Sequence, residues 1–277
     1  MSGRLGLIAG AGRLPIEIAQ SVGDRSVLAI GYRGMTDPRL AEAVDELAWE
    51  PLGALGAQLD RFRRGGVSEV VLAGKVDRAQ LLHASNDLGL DDQALELLSS
   101  LEDKRDAHIL GTLADWLEAQ GVSVLSQAKA AQKLLPRAGV VGALPVSEKQ
   151  IEDAALGWRL ASVIADQGIG QCVCVKDGHV LAVEAIEGTD ATITRAGSLA
   201  PGGFVVVKRP GSQQDPRFDL PAIGPATIEV LHRSGGGCLV VEAETTLMVD
   251  RARMVDMADR LGISILAKAR RDGGGVQ

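Results

Sequence analysis

The chain has 277 residues, room for two domains, because one hydrophobic core usually stops growing at roughly 250 to 300 residues. Hydrophobic residues make up 46% and charged residues 23%, while aromatics at only 3% leave Val, Ile, Leu and Ala to build the core. The net charge of −7, with no Lys/Arg stripe interleaved with aromatics, argues against a nucleic-acid partner. No apolar run reaches the roughly 18 to 20 residues a spanning helix needs, and the N-terminus lacks a secretory pattern, so a cytoplasmic protein is expected. Cys172, Cys174 and Cys238 lie in apolar strand-like runs, as buried thiols of a reducing compartment would.

In chain order, residues 5–9 read as a buried strand, followed by Gly10-Ala11-Gly12 and a helix opening near Pro15, since proline suits a first helical turn. A strand at 26–30, a helix at 55–64 and a strand at 69–73 closed by Gly74-Lys75 come next. An amphipathic helix carrying Ile109, Leu110, Leu113 and Leu117 ends at Gly121 and leads into a strand at 122–125. This alternation predicts a small parallel α/β domain over 1–130. The pattern weakens over 131–146, read as a linker, and a second domain covers 147–277.

Ser147 and Gln150 form a capping box, and the helix they open is predicted to bury Ile151, Ala155, Trp158 and Ile164 before Gly168 ends it. Two strands joined by Asp177-Gly178 make a hairpin, the beginning of an antiparallel sheet. Strands at 204–208, 238–243 and 263–267 and helices near 228–232 and 251–261 complete a mixed α/β or α+β domain, with a glycine-rich tail at 272–277.

Chemistry concentrates between Glu184 and Thr227, which joins carboxylates (Glu184, Glu187, Asp190, Asp215, Asp219), cations (Lys208, Arg209, Arg217), Thr189 and glycines. Carboxylates able to hold a hard cation beside cations able to grip phosphate oxygens suit metal-assisted chemistry on a phosphate ester or anhydride. Gly10-Ala11-Gly12 fits either a tight turn needed for packing or a backbone approach to phosphates, but Pro15 stands where a third glycine belongs, and Gly31-Tyr32-Arg33 offers no acid for a ribose. That departure disfavours a nicotinamide cofactor. Gly74-Lys75 lies at the ligand-binding edge of a parallel strand, as either a phosphate contact or a solvated turn lysine. His83, His108, His179 and His232 show neither metal-ligand spacing nor a serine nucleophile beside them.

Read together, G-L-I-A-G-A-G-R-L-P at the start, G-K at 74–75, G-Q at 170–171, A-V-E-A-I-E-G-T-D and Q-D-P-R-F-D-L-P-A-I-G-P-A-T-I resemble the LpxI-type UDP-2,3-diacylglucosamine pyrophosphatases over essentially the whole chain. The resemblance implies a magnesium-dependent, two-domain, dimeric hydrolase of lipid A biosynthesis, cytoplasmic or peripheral on the inner membrane. It would convert UDP-2,3-diacylglucosamine to lipid X (2,3-diacylglucosamine 1-phosphate) and UMP, with the ligand held between domains and water attacking the sugar-side phosphorus. On that resemblance Glu187 and Asp190 are candidate magnesium or water-positioning carboxylates, with Asp219 a further catalytic candidate. Thr189 and the Gly188 amide would contact phosphate, and Lys75, Lys208 and Arg217 would neutralise the diphosphate. Gly10, Ala11, Gly12, Gly74, Gln171 and Thr227 complete the substrate-binding set. The family pattern has an aspartate where this chain has Ala226, which neither binds magnesium nor accepts a proton, so this copy is expected to be an inactivated variant. A non-catalytic binder of a nucleotide-sugar or lipid-phosphate is the alternative.

Overall fold

The computed structural model describes residues 3–76, 88–101, 106–200, 202–212 and 214–270, without the side chains of residues 106 and 107, and all that follows concerns these residues. His83 and the glycine-rich tail lie outside them. The chain divides into two compact units, Met1–Gln132 with Asp215–Asp219, and Lys133–Gln214 with Leu220–Gln277.

The first unit runs β1 (Arg4–Ala9), α1 (Leu14–Ser21), β2 (Val27–Gly31), β3 (Glu46–Trp49), α2 (Leu55–Arg64), β4 (Val67–Ala73), α3 (Asp92–Ser99), α4 (Asp106–Ala119) and β5 (Ser123–Val124). Its sheet has the order β3-β2-β1-β4-β5, with every pairing parallel. β1 and β2 are Val/Leu/Ile-rich and buried along almost their whole length, as parallel strands covered on both faces must be. Strand order reverses between β1 and β4, so the loops after these two strands, Gly10-Ala11-Gly12 and Gly74-Lys75, meet at the switch point where open α/β sheets form a crevice. Phe62, Leu59, Ile30, Val70 and Leu117 fill one face, and Phe218, from the Asp215–Asp219 segment, packs against them.

The second unit continues, after the short α5 (Gln127–Ala130) of the first, with β6 (Gly139–Val141), α6 (Glu148–Asp166), β7 (Cys172–Lys176), β8 (His179–Val183), α7 (Thr189–Leu199) and β9 (Phe204–Lys208). It closes with β10 (Ala222–Ile223), α8 (Pro225–Arg233), β11 (Gly236–Glu242), β12 (Leu247–Met248), α9 (Arg251–Arg260) and β13 (Ser264–Lys268). The six-stranded sheet has the order β6-β13-β11-β9-β7-β8, and a small parallel pair joins β10 to β12. The expected hairpin is present: Asp177 and Gly178 both take positive φ (52° and 75°), and β7 pairs antiparallel with β8. The antiparallel expectation goes no further than β7 and β6, because β9, β11 and β13 are parallel to one another, giving the mixed α/β fold.

One expectation needs correction. The capping box at Ser147 opens α6, but its inward residues are Asp153, Ala154, Gly157 and Ala161, while Ile151 is half exposed, Ala155 faces solvent, and Trp158 and Ile164 are only half buried. The helix sits too close to the sheet for large side chains: a Cβ on Gly157 would come within 2.6 Å of Val207 Cγ2. A helix not expected from the sequence, α7, follows Glu187 and Gly188, and its Thr192, Ile193 and Ala196 are buried.

Candidate functional site

In the first unit, the two glycine-bearing loops are tied by their backbones. Ala11 N–H donates to the Lys75 carbonyl at 2.7 Å, Lys75 N–H to the Ala11 carbonyl at 3.0 Å, and Gly10 N–H to the Ala73 carbonyl at 2.8 Å. A Cβ at Gly10 would stand 2.6 Å from the Lys75 oxygen, and one at Gly74, where φ is +92°, would stand 2.7 Å from the Gly10 carbonyl carbon. Close packing of two turns thus requires both glycines. Gly12, also at φ +92°, has open space around it, and the Lys75 side chain is exposed.

The second unit presents the carboxyl ends of β8, β9, β11 and β13 at one edge, and charge is concentrated there. Glu184, Cys172 and Lys208 form a row across three neighbouring strands: Cys172 pairs with Lys208, and the Glu184 N–H donates to the Cys172 carbonyl at 2.9 Å. All three are buried, with Lys208 only 8% exposed. The Lys208 Nζ donates to Thr189 Oγ1 at 3.1 Å and to the Ala222 carbonyl at 3.4 Å. Thr189 in turn donates to Glu184 Oε1 at 3.0 Å, and Gln171 N–H donates to Glu184 Oε2 at 3.1 Å. The Cys172 thiol between them is pushed well up, by its hydrogen bond with Cys174, by burial and by neighbouring negative charge, so the row holds a protonated thiol at its centre.

Both oxygen partners of this ammonium lie at or just ahead of helix starts. Thr189 is the first residue of α7 and follows Gly188 at φ +82°, while Ala222 leads through Gly224 into α8 with Pro225 at its start. Neither helix has a side-chain cap, which leaves first-turn amides for an outside acceptor. Lys208 uses two of its three donors on neutral oxygens, and among the described residues no carboxylate lies within ion-pair distance of it. A buried cation with a donor to spare, close to uncapped helix starts, has the chemistry to receive phosphate oxygens.

The remaining candidates make other contacts. Ala226 is exposed on the first turn of α8, and Thr227 follows it, half buried. Asp190 is exposed on the first turn of α7. Glu187 is engaged locally: it accepts from Ala185 N–H at 3.0 Å and from Arg195 at 2.7 Å, and its own backbone N–H together with the Arg195 guanidinium holds its carboxyl below the usual range. Arg217 belongs to the first unit, where it pairs with Asp215, Asp115 and Glu118, and the Asp219 N–H donates to the Asp215 carbonyl at 3.0 Å. Gln171 contributes its backbone to Glu184, while its side-chain carbonyl is buried with no partner. Among the described residues no three His, Cys, Asp or Glu side chains gather into a metal cage. Magnesium rarely needs one, since it is commonly held by one or two carboxylates plus the phosphates of a substrate. Asp190 is the acid that fits that pattern, whereas Glu187 is committed to Arg195.

Sequence reasoning placed Glu184 only within the general group of carboxylates and Cys172 only among buried thiols, although alternation puts both on the Lys208 face. It counted Arg209 with the cations of the charged segment. Arg209 lies on the opposite face, where its guanidinium stacks 4.4 Å above the Trp158 ring and pairs with fully buried Glu242 at 2.8 Å.

Comparison with known proteins matches both units. The chain matches the LpxI N-terminal domain over residues 4–134 and the LpxI C-terminal domain over 137–266. It is 33% identical over 278 aligned positions to a protein of Caulobacter vibrioides (strain ATCC 19089 / CIP 103742 / CB 15), UDP-2,3-diacylglucosamine pyrophosphatase LpxI, covering 95% of this chain and 96% of that one. Among solved structures, CobK precorrin-6A reductase is 13% identical with a TM-score of 0.30, covering 99% of this chain and 91% of that one. The biotin carboxylase domain of a thermophilic 2-oxoglutarate carboxylase is 12% identical with a TM-score of 0.26, covering 62% of this chain and 35% of that one, and neither likeness carries an argument. Matched from end to end by both domain models and by a full-length relative, the chain belongs to the LpxI family.

Proposed function

We propose that the chain acts on UDP-2,3-diacylglucosamine, cleaving its diphosphate to lipid X and UMP, and that Ala226 makes this copy a slow or inactive version. The observation that carries the reading is the buried Lys208 ammonium, hydrogen-bonded to Thr189 at the start of α7 and to the Ala222 carbonyl ahead of α8, in a chain 33% identical to a UDP-2,3-diacylglucosamine pyrophosphatase. In this reading Lys208 and the amides of the two helix starts receive phosphate oxygens and neutralise charge that grows as the anhydride breaks. Asp190, with the oxygens of the diphosphate, would hold magnesium, which supplies further charge neutralisation on the phosphates.

Ala226 stands on the first turn of α8, exposed, at the place where the family pattern has an aspartate. A carboxylate there would be favoured by the helix N-terminus and could accept the proton of attacking water. Ala226→Asp should therefore fold and hydrolyse. Mass spectrometry of its products tests the reading: UMP with lipid X supports it, whereas UDP with a diacylated sugar, or unchanged substrate, contradicts it. A homodimer in the cytoplasm, touching the inner membrane peripherally, belongs to the same proposal. Its support for membrane contact is Ile186, 99% exposed in the loop before α7, and Leu199 at that helix's far end.

A further inference from the structure

Among the described residues Glu184 and Lys208, on either side of β7, make no direct ion pair; each instead meets the Thr189 hydroxyl, Glu184 Oε1 at 3.0 Å and Lys208 Nζ at 3.1 Å. Thr189, the first residue of α7, thus links them. The direction of both bonds is dictated by chemistry: an ammonium only donates and an ionised carboxylate only accepts, so Lys208 gives to the hydroxyl oxygen and the hydroxyl proton goes to Glu184. The second carboxylate oxygen is fixed by Gln171 N–H, which leaves Glu184 no other orientation. A hydroxyl held in this sense aims a lone pair at Lys208 and turns its proton away from the space where an anion would sit.

We propose that Glu184 is a positioning residue of the anion site, acting through Thr189 to hold the Lys208 ammonium with its third donor directed at the ligand's phosphate. The proposal rests on the reading of Lys208 as a phosphate contact. It assigns Glu184 a binding role without contact with the ligand, and it explains why an acid is buried beneath a site for anions. Were Glu184 neutral, the Thr189 proton would be free to turn toward Lys208, and the ammonium would lose its anchor.

Equilibrium binding of UDP-2,3-diacylglucosamine to the full chain tests it, with circular dichroism and thermal melting as checks on folding. Glu184→Gln and Thr189→Val should each weaken binding about tenfold, the scale of a charge-assisted hydrogen bond. The double variant should be no weaker than the worse single one, because both changes cut the same link. Thr189→Ser should recover most of what Thr189→Val loses. Thr189→Val that binds like the parent, or a double variant whose losses multiply to about a hundredfold, overturns the proposal. Should Glu184→Gln fail to fold, the Val and Ser variants at 189 decide alone. Lys208→Met separates the two layers: unchanged binding there removes the phosphate reading and this proposal with it. Lost binding there, with Thr189→Val unaffected, leaves the reading standing and removes only the Glu184 link.

Discussion

A cation taken out of water costs several kcal/mol unless the protein returns the lost contacts, and the two basic residues at the end of β9 are compensated differently. Lys208 is given neutral oxygens and a carboxylate one hydroxyl away, which leaves it able to take an anion. Arg209 is given a carboxylate outright: Glu242 at 2.8 Å, with the Trp158 ring beneath the guanidinium. Burial nonetheless draws the Arg209 guanidinium below its usual range, against the pull of Glu242 in the other direction. Neighbours in sequence thus divide into an open binding cation and a closed structural pair. Arg209→Ala should destabilise the second unit by about 3 kcal/mol, the low end for a broken buried pair, because Glu242 in the interior would keep only Arg270 at 3.8 Å and the Thr245 hydroxyl at 3.1 Å. Urea unfolding followed by circular dichroism measures this, and a loss below about 1 kcal/mol would mean that the pair is structurally idle.

At the level of elements, the most constrained feature is the crossing of the loops after β1 and β4. Gly74→Ala places a side chain at φ +92° and 2.7 Å from the Gly10 backbone, so it should cost about 1 to 3 kcal/mol and lower the melting temperature. A melting temperature equal to the parent's would contradict the close approach. These glycines were visible in the sequence, but their purpose was not, because two loops 60 residues apart meet only once the sheet order is known. The strands 5–9 and 204–208, the helix 55–64, the Ser147 capping box and the Asp177-Gly178 turn were all readable from period and turn chemistry. β3 was not, since Glu46–Trp49 is short and mostly not buried. α7 was hidden because its polar Thr189-Asp190 start, following a glycine, reads equally as a turn. The inward face of α6 was misread for a different reason: hydrophobicity selects large side chains, whereas close approach to the sheet selected Ala154, Gly157 and Ala161.

For the whole molecule, the Asp215–Asp219 segment matters because it joins the first unit although most of the surrounding sequence builds the second. Phe218 enters the first core, and Arg217 binds three acids there. Burial alone would raise the Asp215 carboxyl, but the Arg217 hydrogen bonds and charge win and lower it beneath 3.8. A lowered carboxylate stabilises the fold above its unfolded pKa and loses that contribution as pH falls through the folded value. The deficit of Arg217→Ala relative to the parent should accordingly be full at neutral pH and shrink below about pH 4. Melting curves across that range check it, and a deficit independent of pH would contradict the assignment. The sequence motifs identified the family, while the anion site became visible only when Glu184, Cys172 and Lys208 were aligned across three strands close to two helix starts. Its chemistry comes down to one position. The decisive measurement is the rate of UMP release from UDP-2,3-diacylglucosamine, in magnesium-containing buffer, by Ala226→Asp beside the parent chain. The account predicts an increase of at least about a hundredfold, the lower end of what a positioned acid–base group contributes; equal rates in two well-folded proteins would contradict it.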